Sequence, residues 1–177
     1  MADTNTVQLY GFLPYDVEKS DDGKETRFTL VVERKVVKGG TAYSDFIPIQ
    51  AASSCALVAQ QHLKKGMRCS VSGQLKTFAE GFVITAVKIK IGGITSSRNI
   101  VKMSGYVCSD LTEYKGFVQF TVRVNDLVYV NVSCAGLVAK DAKTLLKKNS
   151  KLTVSGALNT FGKEKWVLTA NKIQVGA

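Results

Sequence analysis

Ser70-Val71-Ser72-Gly73-Gln74-Leu75-Lys76-Thr77-Phe78 recurs as Thr153-Val154-Ser155-Gly156-Ala157-Leu158-Asn159-Thr160-Phe161. In the first copy Val71, Gly73 and Leu75 share one face, and Ser72, Gln74 and Lys76 the other. A period of two marks a half-buried strand. A glycine stands at the same step of both copies, where a closed sheet can bend sharply or let another backbone approach. Upstream, His62-Leu63-Lys64-Lys65-Gly66 is answered by Leu145-Leu146-Lys147-Lys148-Asn149. The chain reads as a duplication.

The 177 residues therefore divide into two small domains, residues 1–93 and 99–177, joined by a linker at 94–98. With 45% hydrophobic residues the composition is that of a globular protein. The formal charge is +10, from 24 Lys and Arg against 14 Asp and Glu. Such a balance favours anionic partners, nucleic acid before a membrane surface, with plain solubility as the bland alternative. Residues 1–95 carry 12 basic and 9 acidic side chains, a net +3, and residues 96–177 carry 12 and 5, a net +7. The second half has the stronger long-range pull on a polyanion.

Cys55, Cys69, Cys108 and Cys134 show no C-x-x-C spacing, and His62, the single histidine, completes no familiar zinc pattern with them. Buried reduced thiols are expected, with no metal and no cofactor. No secretory signal opens the chain and no apolar run approaches a membrane span. The expected compartment is the cytoplasm, that of a bacterial host if the chain is phage-encoded.

Read in order, Thr6 to Leu13 is a strand with Val7, Leu9 and Gly11 alternating against Gln8, Tyr10 and Phe12. Residues 15–24 form a polar loop with an Asp-Gly turn signal. A second strand from Thr26 to about Glu33 points Phe28, Leu30 and Val32 inward. Arg34-Lys35-Val36-Val37-Lys38-Gly39-Gly40 reads as a basic hairpin tip or finger. The third strand runs from Ala42 to about Gln50, and Pro48 within it argues for an edge or a bulge. Ser53 to Lys65 places Leu57, Val58, Gln61 and Leu63 at helical spacing, with Ser53 or Ser54 as N-cap and Gly66 as the stop. The opening motif is the fourth strand, and Phe82 to Ile91 is the fifth.

The second half retraces this order. Gly105-Tyr106 answers Gly11-Phe12 at an offset of 94, and Phe120-Thr121-Val122 answers Phe28-Thr29-Leu30 at 92. Val130-Asn131-Val132 answers Ile47-Pro48-Ile49 at 83, and Trp166 to Gly176 answers Phe82 to Gly92 at 84. The falling offset shortens the second hairpin to about Asn125-Asp126-Leu127, so the basic finger has no counterpart. Each half is strand–strand–strand–helix–strand–strand. The expected fold is all-β with one short helix per repeat, as two tandem five-stranded OB-fold barrels. A pair of SH3-like barrels would supply the strands but lacks the helix before the fourth.

On these motifs the chain resembles the bacterial and phage single-stranded DNA-binding proteins, in a tandem form. Val7-Gln8-Leu9-Tyr10-Gly11-Phe12-Leu13 resembles the family's first strand, His62 to Gly66 its helix end, and Ser72-Gly73-Gln74-Leu75-Lys76-Thr77 its Glu-Gly-Gln-Leu-Arg-Thr strand. The resemblance covers residues 5–93 and, more faintly, 99–176. It implies binding of single-stranded DNA in replication, recombination or repair. The chain would act alone or as a homodimer supplying four barrels. Phe46 stands where the family has a tryptophan on strand three. The family's acidic C-terminal tail has no counterpart before Gln174-Val175-Gly176-Ala177, so recruitment of replication or recombination partners by that route is not expected.

Single-strand binding needs cations along the backbone and aromatic faces for bases. The aromatic candidates are Tyr43 and Phe46 on strand three, Tyr129 on its copy, Phe78 and Phe161 leaving the core face at the fourth-strand ends, and Phe82 and Trp166 opening the fifth strands. Phe82 and Trp166 are in phase with apolar residues, so core packing and stacking both stand; Phe28 and Phe120 read as core. For phosphates the candidates are Arg34, Lys35 and Lys38 on the finger, Lys76, Arg123, and Lys163 and Lys165 before Trp166. Lys140, Lys143, Lys147 and Lys148 read as a solvated helical face. No glycine-rich phosphate cradle, G-x-S-x-G or carboxylate cluster suggests catalysis, and no enzyme activity is expected. Two alternatives remain: an OB-fold module for protein interaction in a replisome or virion assembly, and an RNA-binding OB protein.

Overall fold

A computed structural model of the chain describes residues 4–34, 40–79, 81–93, 97–162 and 165–176. The alternating halves close into two barrels. The first comprises β1 (Asn5–Phe12), β2 (Glu18–Lys19), β3 (Glu25–Glu33), β4 (Ser44–Ala52), α1 (Ser53–His62), β5 (Arg68–Phe78) and β6 (Gly81–Ile91). Its strand order is β2-β3-β4-β6-β5-β1; β4 and β6 run parallel at Ile49 and Ile84, and β1 closes on β3 where Phe12 faces Val31.

The second comprises β7 (Arg98–Val107), β8 (Thr112–Tyr114), β9 (Phe117–Asn125), β10 (Val128–Cys134), α2 (Gly136–Leu145), β11 (Lys151–Phe161) and β12 (Lys165–Val175). Its order, β7-β11-β12-β10-β9-β8, is the same plan, with β10 and β12 parallel and closure where Tyr106 faces Arg123. Each barrel is thus the expected five strands and helix. Each also has one short strand that the polar loops did not suggest, β2 and β8. In the first, the Ser20 hydroxyl donates to Asp22 at 2.7 Å and the Gly23 N–H donates to the Ser20 carbonyl at 2.9 Å. That tight turn lays β2 back on β3.

The repeated motif behaves as its pattern requires. Val71, Gly73 and Leu75 are buried in β5, as are Val154, Gly156 and Leu158 in β11. A Cβ on Gly73 would lie 2.2 Å from the Thr85 carbonyl oxygen, and one on Gly156 2.1 Å from that of Thr169. The glycines are there because the neighbouring backbone presses against them.

Three sequence expectations need correction. Tyr10, on the strand face opposite Leu9, is buried at 2% exposure rather than open to solvent. Leu57 is 56% exposed, because α1 packs through Cys55, Ala56 and Ala59 against β3 and β4. Small residues let the helix lie close to the sheet. Neither Ser53 nor Ser54 caps α1: Ala52 is the N-cap and makes no side-chain bond, while Ser53 adopts φ +52°. The copy has Gly136 at φ +56° in the matching place. Pro48 faces Thr29 on β3, and the parallel pairing with β6 starts only at Ile49, so a missing N–H costs no ladder bond there.

Cys55, Cys69 and Cys134 are buried free thiols, and Cys108 is half-buried. Burial pushes the Cys69 thiol up to about 12 and that of Cys134 to about 11, so both stay protonated and unreactive. Among the described residues no helix is long and apolar enough to cross a membrane. The compact units do not follow the chain strictly. One is Val7–Lys76 with Phe82–Asn99; the other is Ile100–Ala177 with Met1–Thr6 and the hairpin tip Thr77–Gly81.

Candidate nucleic-acid interface

The outward face of β9 and β10 is the floor of a groove of about 1410 Å³. Its floor residues follow from the period of two: Phe120, Val122 and Val132 point inward, which turns Gln119, Thr121 and Asn131 out. The Thr121 hydroxyl donates to the Asn131 side-chain oxygen at 3.0 Å, fixing both. Tyr129, 45% exposed, and half-buried Trp166 supply aromatic surface.

A third ring comes from the hairpin tip. The Thr77 hydroxyl donates to the Leu127 carbonyl at 3.1 Å and accepts the Tyr129 N–H at 3.1 Å. These bonds fall where the β9–β10 ladder slips register, between Val128 and Tyr129. A bulge leaves backbone groups in need of a partner, and one hydroxyl serves both kinds. The next residue, Phe78, lines the groove at 60% exposure. The charged side chains of the lining are Asp110, Asp126 and Lys165. The groove itself is therefore not cationic, contrary to the expectation of a positive channel; exposed Arg123 lies at its margin, directly across from Tyr129. Such a site takes flat, neutral groups against its floor and leaves charge outside.

The first barrel differs. Phe46, 52% exposed, occupies the place of Tyr129 but faces buried Val31 instead of an arginine. The corresponding concavity, lined by Tyr15, Arg27, Phe28 and Pro48 among others, is about 160 Å³. Phe82 is a correction: it is 6% exposed, so its ring packs in the core and presents no face. Arg34 is a second correction. Its Nε reaches both oxygens of Asp45 at 3.1 Å and its Nη2 reaches one at 2.6 Å, while its guanidinium lies 5.7 Å from the Tyr43 ring, itself 59% exposed. Asp45 is fully buried, so Arg34 neutralises an internal carboxylate and is not the free cation that the sequence suggested.

Lys76 and Lys165 are exposed, and Phe161, 54% exposed, faces Lys165 across the β11–β12 hairpin. Lys35, Lys38 and Lys163 lie outside the described residues. Lys143 pairs with Glu113, while Lys140, Lys147 and Lys148 are exposed on or just after α2. Sequence reasoning passed over Gln119, Thr121 and Asn131, although their phase opposite Phe120 and Val132 was the available signal. It also passed over Asp45, which is in phase with Ile47 and Ile49 and so had to be buried. Nothing local in the sequence could have joined Thr77 to Leu127 and Tyr129.

No protein-family model matches the chain, and no curated protein matches it in sequence. Solved structures do match. The wild-type single-stranded DNA binding protein from Thermus aquaticus superimposes with a TM-score of 0.81 at 19% identity, over 100% of this chain and 95% of that one. A deletion mutant of that protein gives 0.80 at 20% identity, over 99% and 95%. From end to end, the chain has the fold of the Thermus aquaticus protein.

Proposed function

We propose that this chain binds single-stranded DNA with little sequence preference, in replication, recombination or repair. The observation that carries the reading is the groove over β9 and β10, with Phe78, Tyr129 and Trp166 along it. Every base has a π-face, and each base stacked on such a ring contributes on the order of 1–3 kcal/mol whatever its identity. The neutral polar floor suits base edges, and the chain's net charge of +10, none of which the groove lining supplies, suits the phosphates. Long-range attraction then brings the strand in, and stacking holds it. The fold shared with the Thermus aquaticus protein, whose name states that it binds single-stranded DNA, supports the same reading.

Trp166 is the only tryptophan, so the groove reports on itself. Titration with oligo-dT at low salt should quench its fluorescence, and equal-length duplex should do so poorly. Affinity should fall with salt by a slope of about 0.7 per phosphate engaged. An unquenched Trp166 with no binding of oligo-dT at low salt rejects the reading. Competition by RNA of equal length decides between DNA and RNA as the preferred strand.

A further inference from the structure

Four side chains stand in register across four neighbouring strands of the second barrel. Lys151 on β11 faces Tyr106 on β7, Tyr106 faces Arg123 on β9, and Arg123 faces Tyr129 on β10. Residues directly opposite in paired strands project from the same face. Tyr106 is 42% exposed, Tyr129 45%, and Arg123 is exposed. The Lys151 ammonium lies 5.8 Å from the centre of the Tyr106 ring. With strands about 4.8 Å apart, the row is roughly 14 Å long. Cation and ring alternate along it, and no described carboxylate forms an ion pair with Arg123 or Lys151.

The first barrel has the same row in a disabled form. Arg68 faces Phe12, Phe12 faces Val31, and Val31 faces Phe46. The Arg68 guanidinium again lies 5.8 Å from the ring of its neighbour. There, however, Arg68 is tied to Glu33 at 3.4 Å, and Val31, 2% exposed, stands where the second barrel has its arginine. One copy has free charges and the other does not.

We infer that the row Tyr129–Arg123–Tyr106–Lys151 is a second stretch of the nucleic-acid path, continuing the groove around the side of the barrel. Tyr129 belongs to both, so a single strand leaving the groove passes onto the row without a gap. The ligand class is a single-stranded polynucleotide, with bases against the two tyrosines and phosphates at Arg123 and Lys151. Duplex does not fit, because its bases are stacked on one another and offer no free face to the rings. This inference rests on the binding reading above and extends it to residues outside the groove.

The test is a double variant of the full chain, Tyr106→Thr with Lys151→Gln, which leaves every groove residue in place. It is titrated through Trp166 with one oligo-dT of about 6 nucleotides and one of about 16, both within the sizes that a single barrel covers. The short strand should bind as it does to the native chain. The long strand should bind about tenfold more weakly, with a salt slope smaller by about 0.7 for the lost lysine contact. Arg68→Gln in the first barrel should change neither by more than about twofold. Unchanged binding of the long strand overturns the path. Equal weakening of both strands also overturns it, since the row would then act through the fold alone. If the native chain binds neither strand, the groove reading fails, and this extension fails with it.

Discussion

At matched positions the first barrel has Asp45, Val31 and Phe82 where the second has Val128, Arg123 and Trp166. The first barrel spends its cations on its own acids: Arg34 on buried Asp45, Arg68 on Glu33. The second fills its interior with Val128 and leaves Arg123 exposed beside Tyr129. The cavities differ as well, about 160 Å³ over the first and about 1410 Å³ over the second, where Thr77, Phe78 and Gly81 add a wall. Duplication preserved the frame while the outer faces diverged, one toward internal charge balance and one toward an open aromatic groove. The uneven charge of the two halves, +3 and +7, comes from their acids, 9 against 5 at 12 basic residues each, with Asp45 and Glu33 among the nine.

Three changes would break or sharpen this contrast. The largest effect is expected at Asp45. Asp45→Asn leaves Arg34 partly buried without its counter-charge and should cost about 2–3 kcal/mol in urea denaturation, less than a fully buried pair because Arg34 can still reach water. Asp45→Val combined with Arg34→Ala imitates the second barrel and should recover most of that loss. If the single change is neutral, the Arg34–Asp45 pair adds nothing net to the stability of the first barrel.

Next come the two matched aromatics. Tyr129→Ala should weaken oligo-dT binding by about 10- to 100-fold, in line with the loss of one stacked base. Phe46→Ala, on the closed-up barrel, should weaken it by less than about threefold. Equal losses would mean that both faces bind alike, and the contrast would fall. The smallest effect concerns the helix starts. Ser53→Gly gives α1 the residue that α2 already has at a positive φ, and should raise stability by about 0.5 kcal/mol after the entropy of the extra glycine is subtracted.

Much of the architecture was readable from spacing alone. Val71, Gly73 and Leu75 alternate because one sheet face is buried, and the falling offset between copies located the shortened hairpin at Asn125 to Leu127. The misreadings share a cause. Leu57 reads as core by hydrophobicity, but the space against β3 and β4 admits only Cys55, Ala56 and Ala59. Arg34 reads as a free cation until Asp45 is seen to be buried beside it. Thr77 carries no local signal, since its partners Leu127 and Tyr129 are 50 and 52 residues away. Periodicity records which face is dry; it does not record which distant backbone group needs a hydroxyl, or which cation already has its anion.

The glycines of the opening motif have one more consequence. Gly73 and Gly156, with Gly11 and Gly105, each sit so close to a carbonyl oxygen that a Cβ would fall within 2.1–2.3 Å of it. Substitution is closed at these four points while the letters around them are free to scatter. They serve as survey marks in a half-erased duplication: aligned on them, the two halves give up their insertions and deletions directly. A diverged descendant that has lost every aromatic and every lysine named above would still be betrayed by the distances between its glycines.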